Sequence, residues 1–230
     1  MNPPAGFWRR YAAYSADASA ISLLALPLLW GRLREAHAVL GAGLETLQFR
    51  IWELMDRALA SGADPLGQVG AWATDAALRE AMAGLVGGLL WLALAVSVVL
   101  FAVAGLWFIG FESSRWQASP GKRLLGLRVT DAAGARCGPG RIALRFVAGI
   151  PSWLLLHAGH ALAAWTPGKR ALHDYLAGTR VELAPGAPAA MPRGGRAWLL
   201  LQAAAFFGAV GFIGLRYVQL LVEAAQGGLY

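Results

Sequence analysis

Residues 81–111 read AMAGLVGGLLWLALAVSVVLFAVAGLWFIGF, and no charged side chain falls in these 31 positions. At about 1.5 Å of rise per residue, this run as a helix outreaches the roughly 30 Å hydrocarbon core of a bilayer. The whole chain agrees with that reading. Its 230 residues are 57% hydrophobic and 14% charged, with a mean hydropathy of +0.51, where soluble domains carry about 25% charged residues. Residues 197–225 form a second apolar stretch, interrupted by Gln202, Arg216 and Glu223 and long enough to span with its charges near one interface. Two further segments are expected to be membrane-embedded: Phe7–Trp30, which carries Arg9, Arg10 and Asp17, and Ile142–Trp165, which contains Pro151, His157 and His160. The first has an acid inside it and no small-residue cleavage site, so it is expected to be retained rather than removed as a leader.

Charge in the connections sets an expected orientation, because Lys and Arg of short loops collect on the cytoplasmic side. Residues 32–80 hold five Arg against seven acids, residues 112–145 hold seven Lys or Arg against two acids, and residues 166–196 hold five against two. The first connection is therefore expected outside, and the N-terminus inside a bacterial inner (cytoplasmic) membrane crossed several times. The net charge of +7 fits anionic lipid headgroups, not nucleic acid, since no basic run is interleaved with aromatics. If residues 142–165 cross fully, the second basic connection lies outside against the charge rule; if they dip and return near Pro151, both lie inside. LLGLRVTDAAGARC (124–137) reads as strand, turn and strand, and AGTRVEL (177–183) as another strand. Pairing them would give a small cytoplasmic β element.

In the outer connection, Leu33, His37, Leu40, Leu44, Leu47, Ile51, Leu54 and Ala58 alternate spacings of four and three, a heptad seam. SGADPLG (61–67) breaks this helix, and residues 68–83 are expected to return as a second one through Val69, Trp72, Ala76 and Leu78. The seam is satisfied either by that hairpin or by another subunit, with Leu40, Leu44, Leu47, Ile51 and Leu54 as the docking positions. Lone Cys137 excludes an intrachain disulfide and is expected to be a small packed residue.

The chain writes one phrase twice, SPGKRLLGLRV at 119–129 and TPGKRALHDYLAGTRV at 166–181. Ser or Thr before Pro is a helix-start signal, so each copy is expected to open a helix. Lys122, Arg123, Lys169 and Arg170 would then stand where helix N–H groups favour an anion, such as a lipid headgroup. Neither copy has the first glycine or the post-lysine hydroxyl of a nucleotide-binding P-loop. His157, His160 and His173 lack the cysteines or acids of a metal site, and His173–Asp174 has no positioned nucleophile. No cofactor, metal or enzymatic activity is expected.

These phrases, together with GFWRRYAAYSAD at 6–17, resemble the RDD family of membrane proteins over roughly residues 6–183. By position, the charges that name the family fall on Arg10, Asp17 and Asp174. The resemblance implies a membrane core at 1–183; the extracytoplasmic helical insertion at 32–82, and the linker with C-terminal transmembrane helix at 184–230, look like additions to the family's usual pattern. Of such proteins, a few resemble cation/proton antiporters in activity, most have no assigned role, and many are encoded near MoxR-type ATPases and von Willebrand A-type proteins, which suggests multi-protein assemblies. The expected fold is an all-α integral membrane protein with about four membrane-embedded helical segments, an extracytoplasmic helical hairpin and the small β element.

Intramembrane acids are costly unless paired, which makes Asp17 a site hypothesis. We expect Arg10 to meet Asp174, and Asp17 to meet Arg145 or another basic residue near the loop entrance, with His173 beside them as a further charge partner. The leading functional expectation is a subunit or scaffold of a membrane protein complex, its partners being anionic lipids, other membrane-associated subunits or a second copy. The first alternative is cation/proton exchange at Asp17, with Ser19 and Ser22 lending oxygens. The second is an anionic-lipid-binding module built on the PGKR stretches.

Overall fold

The computed structural model describes residues 2–62, 70 and 72–225. It is 75% helical. In chain order it comprises α1 (Phe7–Ser61), α2 (Ala76–Ser113), α3 (Pro120–Leu124), β1 (Leu127–Asp131), α4 (Pro139–Val147), α5 (Ile150–Leu154), α6 (Ala158–Trp165), α7 (Leu172–Leu176), β2 (Thr179–Leu183) and α8 (Arg193–Ala225). Three helices are long and apolar enough to cross a membrane: α1, α2 and α8. A fourth candidate is broken, with α4–α5 and α6 bent by 101°. The break sits at Leu156 and His157, whose φ values of 49° and 64° end one helix and start another. His157 therefore stands at the break, just before the first residue of α6, and His160 lies within α6.

The N-terminal embedded segment and the helix expected after it form one unbroken helix of 55 residues, about 80 Å long at 1.5 Å per residue. Pro27 lies inside this helix without ending it, and the helix stops only at Ser61 and Gly62, where φ is +64°. The return arm is likewise continuous with the uncharged run, since α2 begins at Ala76 and carries on to Ser113. Val69 of the expected return arm lies outside the described residues.

The chain divides into two compact units, residues 20–104 and residues 1–19 with 105–230. In the first unit, the expected heptad seam is rotated. Val39 meets the position of a Cβ on Gly88 at 3.1 Å, and Leu85 meets that of Gly43 at 2.5 Å. Leu54 and Ala58 are buried. Leu40, Leu44 and Ile51 stay exposed at 40%, 56% and 39%. Side chains with a small partner pack closest, and the glycines, not the leucines, choose the face. Beyond them Asp75 accepts the Leu78 N–H at 2.7 Å, capping α2, and takes a two-pronged bond from Arg50 (Nε 3.0 Å, Nη2 2.6 Å). The guanidinium, followed by the Leu78 N–H, lowers the Asp75 carboxyl to about 2.

In the second unit β1 and β2 pair antiparallel, Val129 opposite Val181 and Arg128 opposite Glu182. A two-stranded ribbon is marginal alone. This one is widened by the N-terminus, where Ala5 donates to the Val181 carbonyl and Leu183 donates to that of Pro3, both at 3.0 Å. Leu127, Val129, Val181 and Leu183 turn inward onto Ala5, Ala12, Ala13, Cys137 and Ile142, which places Cys137 in the core. The expected second strand of the 124–137 hairpin reduces to a single bridge between Thr130 and Arg136.

Each strand is entered from a short helix through a glycine in the left-handed region, Gly126 at φ 63° and Gly178 at φ 62°. The structural repeat is therefore L-x-G-x-R-V, centred on these glycines, and not the PGKR phrase. The second PGKR opens no helix. Thr166 instead ends α6, its Oγ1 accepts the Arg170 N–H at 2.8 Å, and Lys169 takes φ 49°; α7 starts at Leu172.

Candidate functional site

Asp17 is 1% exposed and points at the start of α3. Its carboxylate accepts the Ser119 hydroxyl at 2.5 Å, the Gly121 N–H at 2.8 Å and the Trp107 indole N–H at 3.0 Å. The expected partner Arg145 is not among these. Ser119 makes no cap of its own; a carboxylate from a distant helix does that work, better suited than a hydroxyl to the positive end of a helix. The first PGKR needs its glycine for this approach, because a Cβ on Gly121 would stand 2.9 Å from the Asp17 carboxyl carbon and overlap the Ala13 carbonyl. Ser19 and Ser22 are exposed, and Ser19 bonds the Ser15 carbonyl. Neither reaches Asp17 among the described residues.

Asp174, fully buried, joins the other cations. Arg10 Nη2 donates to its Oδ2 at 2.5 Å, and Arg145 Nη1 donates to its Oδ1 and to Thr179 Oγ1. As the third residue of α7, Asp174 also accepts the Ala171 N–H at 2.8 Å, one half of a capping box. Arg145 Nε then lies 3.3 Å from Glu112 Oε2, and Glu112 Oε1 accepts Lys122 Nζ at 2.5 Å. The result is an alternating chain, Arg10, Asp174, Arg145, Glu112, Lys122, in which every acid touches two cations.

Burial pushes the Asp174 carboxyl up, but Arg145 and then Arg10 outweigh it and hold the group well below the usual carboxylate range. Burial, followed by Arg145, holds His173 well below the usual imidazole value, so at neutral pH it is uncharged. Its Nε2 stands 3.9 Å from Asp174 Oδ1, and His173 is a neighbour of the chain rather than a charge in it.

A family model, the RDD family, matches residues 4–178. The chain belongs to the RDD family. It is also similar to the uncharacterized protein YxaI of Bacillus subtilis (strain 168), 25% identical over 181 residues that cover 79% of this chain and 98% of that one. No solved structure matches it significantly. Within this RDD protein, Arg10, Asp17 and Asp174 thus divide into two separate arrangements: Arg10 with Asp174, and Asp17 alone at a helix start.

Two participants are invisible to motif reasoning. Glu112 looks like a loop charge, yet it is the first charge after the uncharged run and sits ten positions before its lysine. Arg9, 5% exposed, closes the far end of α3 by donating to the carbonyls of Leu125 and Pro188, both at 2.7 Å. Of the four PGKR cations expected at headgroups, Lys122 is buried on Glu112 and Arg170 is half-buried, bonded to the Asp174 carbonyl at 3.0 Å. Only Arg123 and Lys169 are exposed.

Beside the ion chain lies a cavity of about 520 Å³, within the usual size of small-molecule sites. Its lining combines the rings of Tyr14, Phe108, Phe146 and Trp153 with Arg10, Glu112, Lys122, Arg145 and His173, and Lys122 Nζ lies 4.9 Å from the centre of the Phe108 ring. No group of His, Cys, Asp and Glu able to hold a metal occurs among the described residues.

Proposed function

We propose that this RDD protein is a non-catalytic subunit of an assembly in a bacterial cytoplasmic membrane. The observation that carries this reading is the exposed apolar face of α1 beyond Arg32. Residues 32–57 hold eight charged side chains, Arg32, Arg34, Glu35, Glu45, Arg50, Glu53, Asp56 and Arg57, too many for a lipid-facing surface. The same stretch exposes Leu44 at 56%, Phe49 at 72% and Trp52 at 57%, too apolar for water. Such a surface suits a helix of another subunit.

The test is Leu44→Glu with Ile51→Glu, both on exposed positions. In mild detergent the wild type is expected to run above its 24.3 kDa protein mass, as a self-association or with a co-purifying chain. The double variant is expected to lose that species while its Tm stays within about 2 °C, as surface changes do. A wild type that is monomeric and partnerless at every concentration sinks the reading.

In this reading the N-terminus and both basic connections lie in the cytoplasm, with residues 139–165 entering and returning on one side. The antiparallel pairing of β1 with β2 supports it, because strands from the two connections share a sheet. A cytoplasm-active reporter fused after Val181 is expected to be active, and a periplasm-active one silent; the reverse result refutes the orientation. Exchange at Asp17 finds less support, since three donors already hold that carboxylate and the two serines lie away from it.

A further inference from the structure

The ion chain that walls the cavity does not balance. Within it Arg10, Arg145 and Lys122 pair with Glu112 and Asp174 alone, one cation in excess, while the nearby acid Asp17 is turned to the Ser119 hydroxyl and the Gly121 and Trp107 N–H groups. All but Arg10 are at least nine-tenths buried, where uncompensated charge is expensive. His173 is 7% exposed, and its Nδ1 is buried with no partner, as is Nδ1 of the neighbouring His160. Both histidines line the cavity. Aromatic rings complete the lining, Tyr14 stacking on Phe108 and Phe146 meeting Trp153 edge-on at 5.4 Å. Of the lining residues, Leu156 at the α5–α6 break is 92% exposed. Leu156 and His157 hold left-handed backbone there, a strained conformation for non-glycine residues that is concentrated at ligand sites.

We propose that this cavity binds one amphiphile with a singly charged anionic head, a phosphodiester or carboxylate, and an apolar tail. The head neutralises the surplus cation beside Arg145 and Lys122 and gives the orphan His173 nitrogen a polar neighbour. The tail lies along the aromatic side chains and leaves past Leu156. A dianion would overshoot the single surplus, and a zwitterionic head would bring its own cation against the arginines. Glu112 also faces the space, but its charge is already shared between Lys122 and Arg145.

The test uses the full chain in mild detergent, stripped of lipid, with native mass spectrometry after adding phosphatidylglycerol, phosphatidylcholine or oleate at equal concentration. One phosphatidylglycerol is expected to be retained with at least tenfold tighter binding than phosphatidylcholine. Oleate binding equally well identifies a free amphiphile as sufficient; binding confined to phosphatidylglycerol identifies a bilayer lipid. Ala161→Phe, which fills the cavity from α6 without touching the ion chain, is expected to cut binding at least tenfold at unchanged Tm. Equal retention of the two phospholipids, or full phosphatidylglycerol binding by folded Ala161→Phe, overturns the proposal. Should Ala161→Phe not fold, the wild-type comparison of the phospholipids decides alone.

Discussion

Asp174→Ala is expected to destabilise the protein by about 3–5 kcal/mol, the cost of removing one partner from a buried ion pair. At roughly 2–4 °C per kcal/mol for a chain of this size, the Tm in detergent falls by about 10 °C. The loss is large because Arg10 and Arg145 both terminate on this carboxylate, and Ala171 loses its acceptor as well. Combining Asp174→Ala with Arg145→Met is expected to recover part of the loss, since the second change removes the stranded cation. A double variant no more stable than the single one would show that the pair is not the cause. The pH dependence has a definite sign. The folded-state carboxyl is held below its unfolded value of about 3.9, so its stabilisation is fully present above that value and drains away as pH falls below it. Melting followed from pH 7 to pH 3 should therefore decline below about pH 4 in the wild type, and less steeply in Asp174→Asn.

The second large effect is expected at Asp17. Asp17→Ala leaves the Ser119 hydroxyl, the Gly121 N–H and the Trp107 N–H without their acceptor, at about 1–3 kcal/mol for each donor that finds no water. A total near 4 kcal/mol follows, with a matching loss from Gly121→Ala, whose methyl group needs the same space. Asp17→Asn keeps one acceptor oxygen and should cost less than half as much. Ser19→Ala and Ser22→Ala, at exposed positions, should stay within about 0.5 kcal/mol. Vesicle transport separates capping from exchange. If Asp17→Asn keeps the wild-type Tm but abolishes cation-dependent relaxation of a proton gradient, the carboxylate is an exchanger, and the capping account of this residue fails.

Much of this was legible because lipid punishes charge. The uncharged stretch at 81–111 had to be a helix, and Asp174 meets the expected Arg10 across 164 positions, whereas the same reasoning gave Asp17 a basic partner where the fold supplies neutral donors. The β1–β2 pairing was readable from alternation and from the shortage of other strands. The rest depended on context that no window of sequence contains. Leucines at 4,3 spacing suggested the packed face of α1, but Gly43 and Gly88 permit closer approach one position away, and closeness won. Two PGKR phrases looked equivalent, yet Asp17 waits at Ser119 and nothing similar waits at Thr166, so only the first begins a helix. Glu112 resembled any loop acid until the fold placed Lys122 and Arg145 around it.

The closing of the β ribbon by the N-terminus has a consequence for biosynthesis. Pro3 and Ala5 bond to residues that leave the ribosome last among those of the sheet, and Arg10 must wait for Asp174. At ordinary elongation speeds of about 5–20 residues per second, this interval is roughly ten to thirty seconds. Throughout it Arg10 has no carboxylate to meet and Pro3 and Ala5 have no strand to join, so this unit can close only after Leu183 has been made.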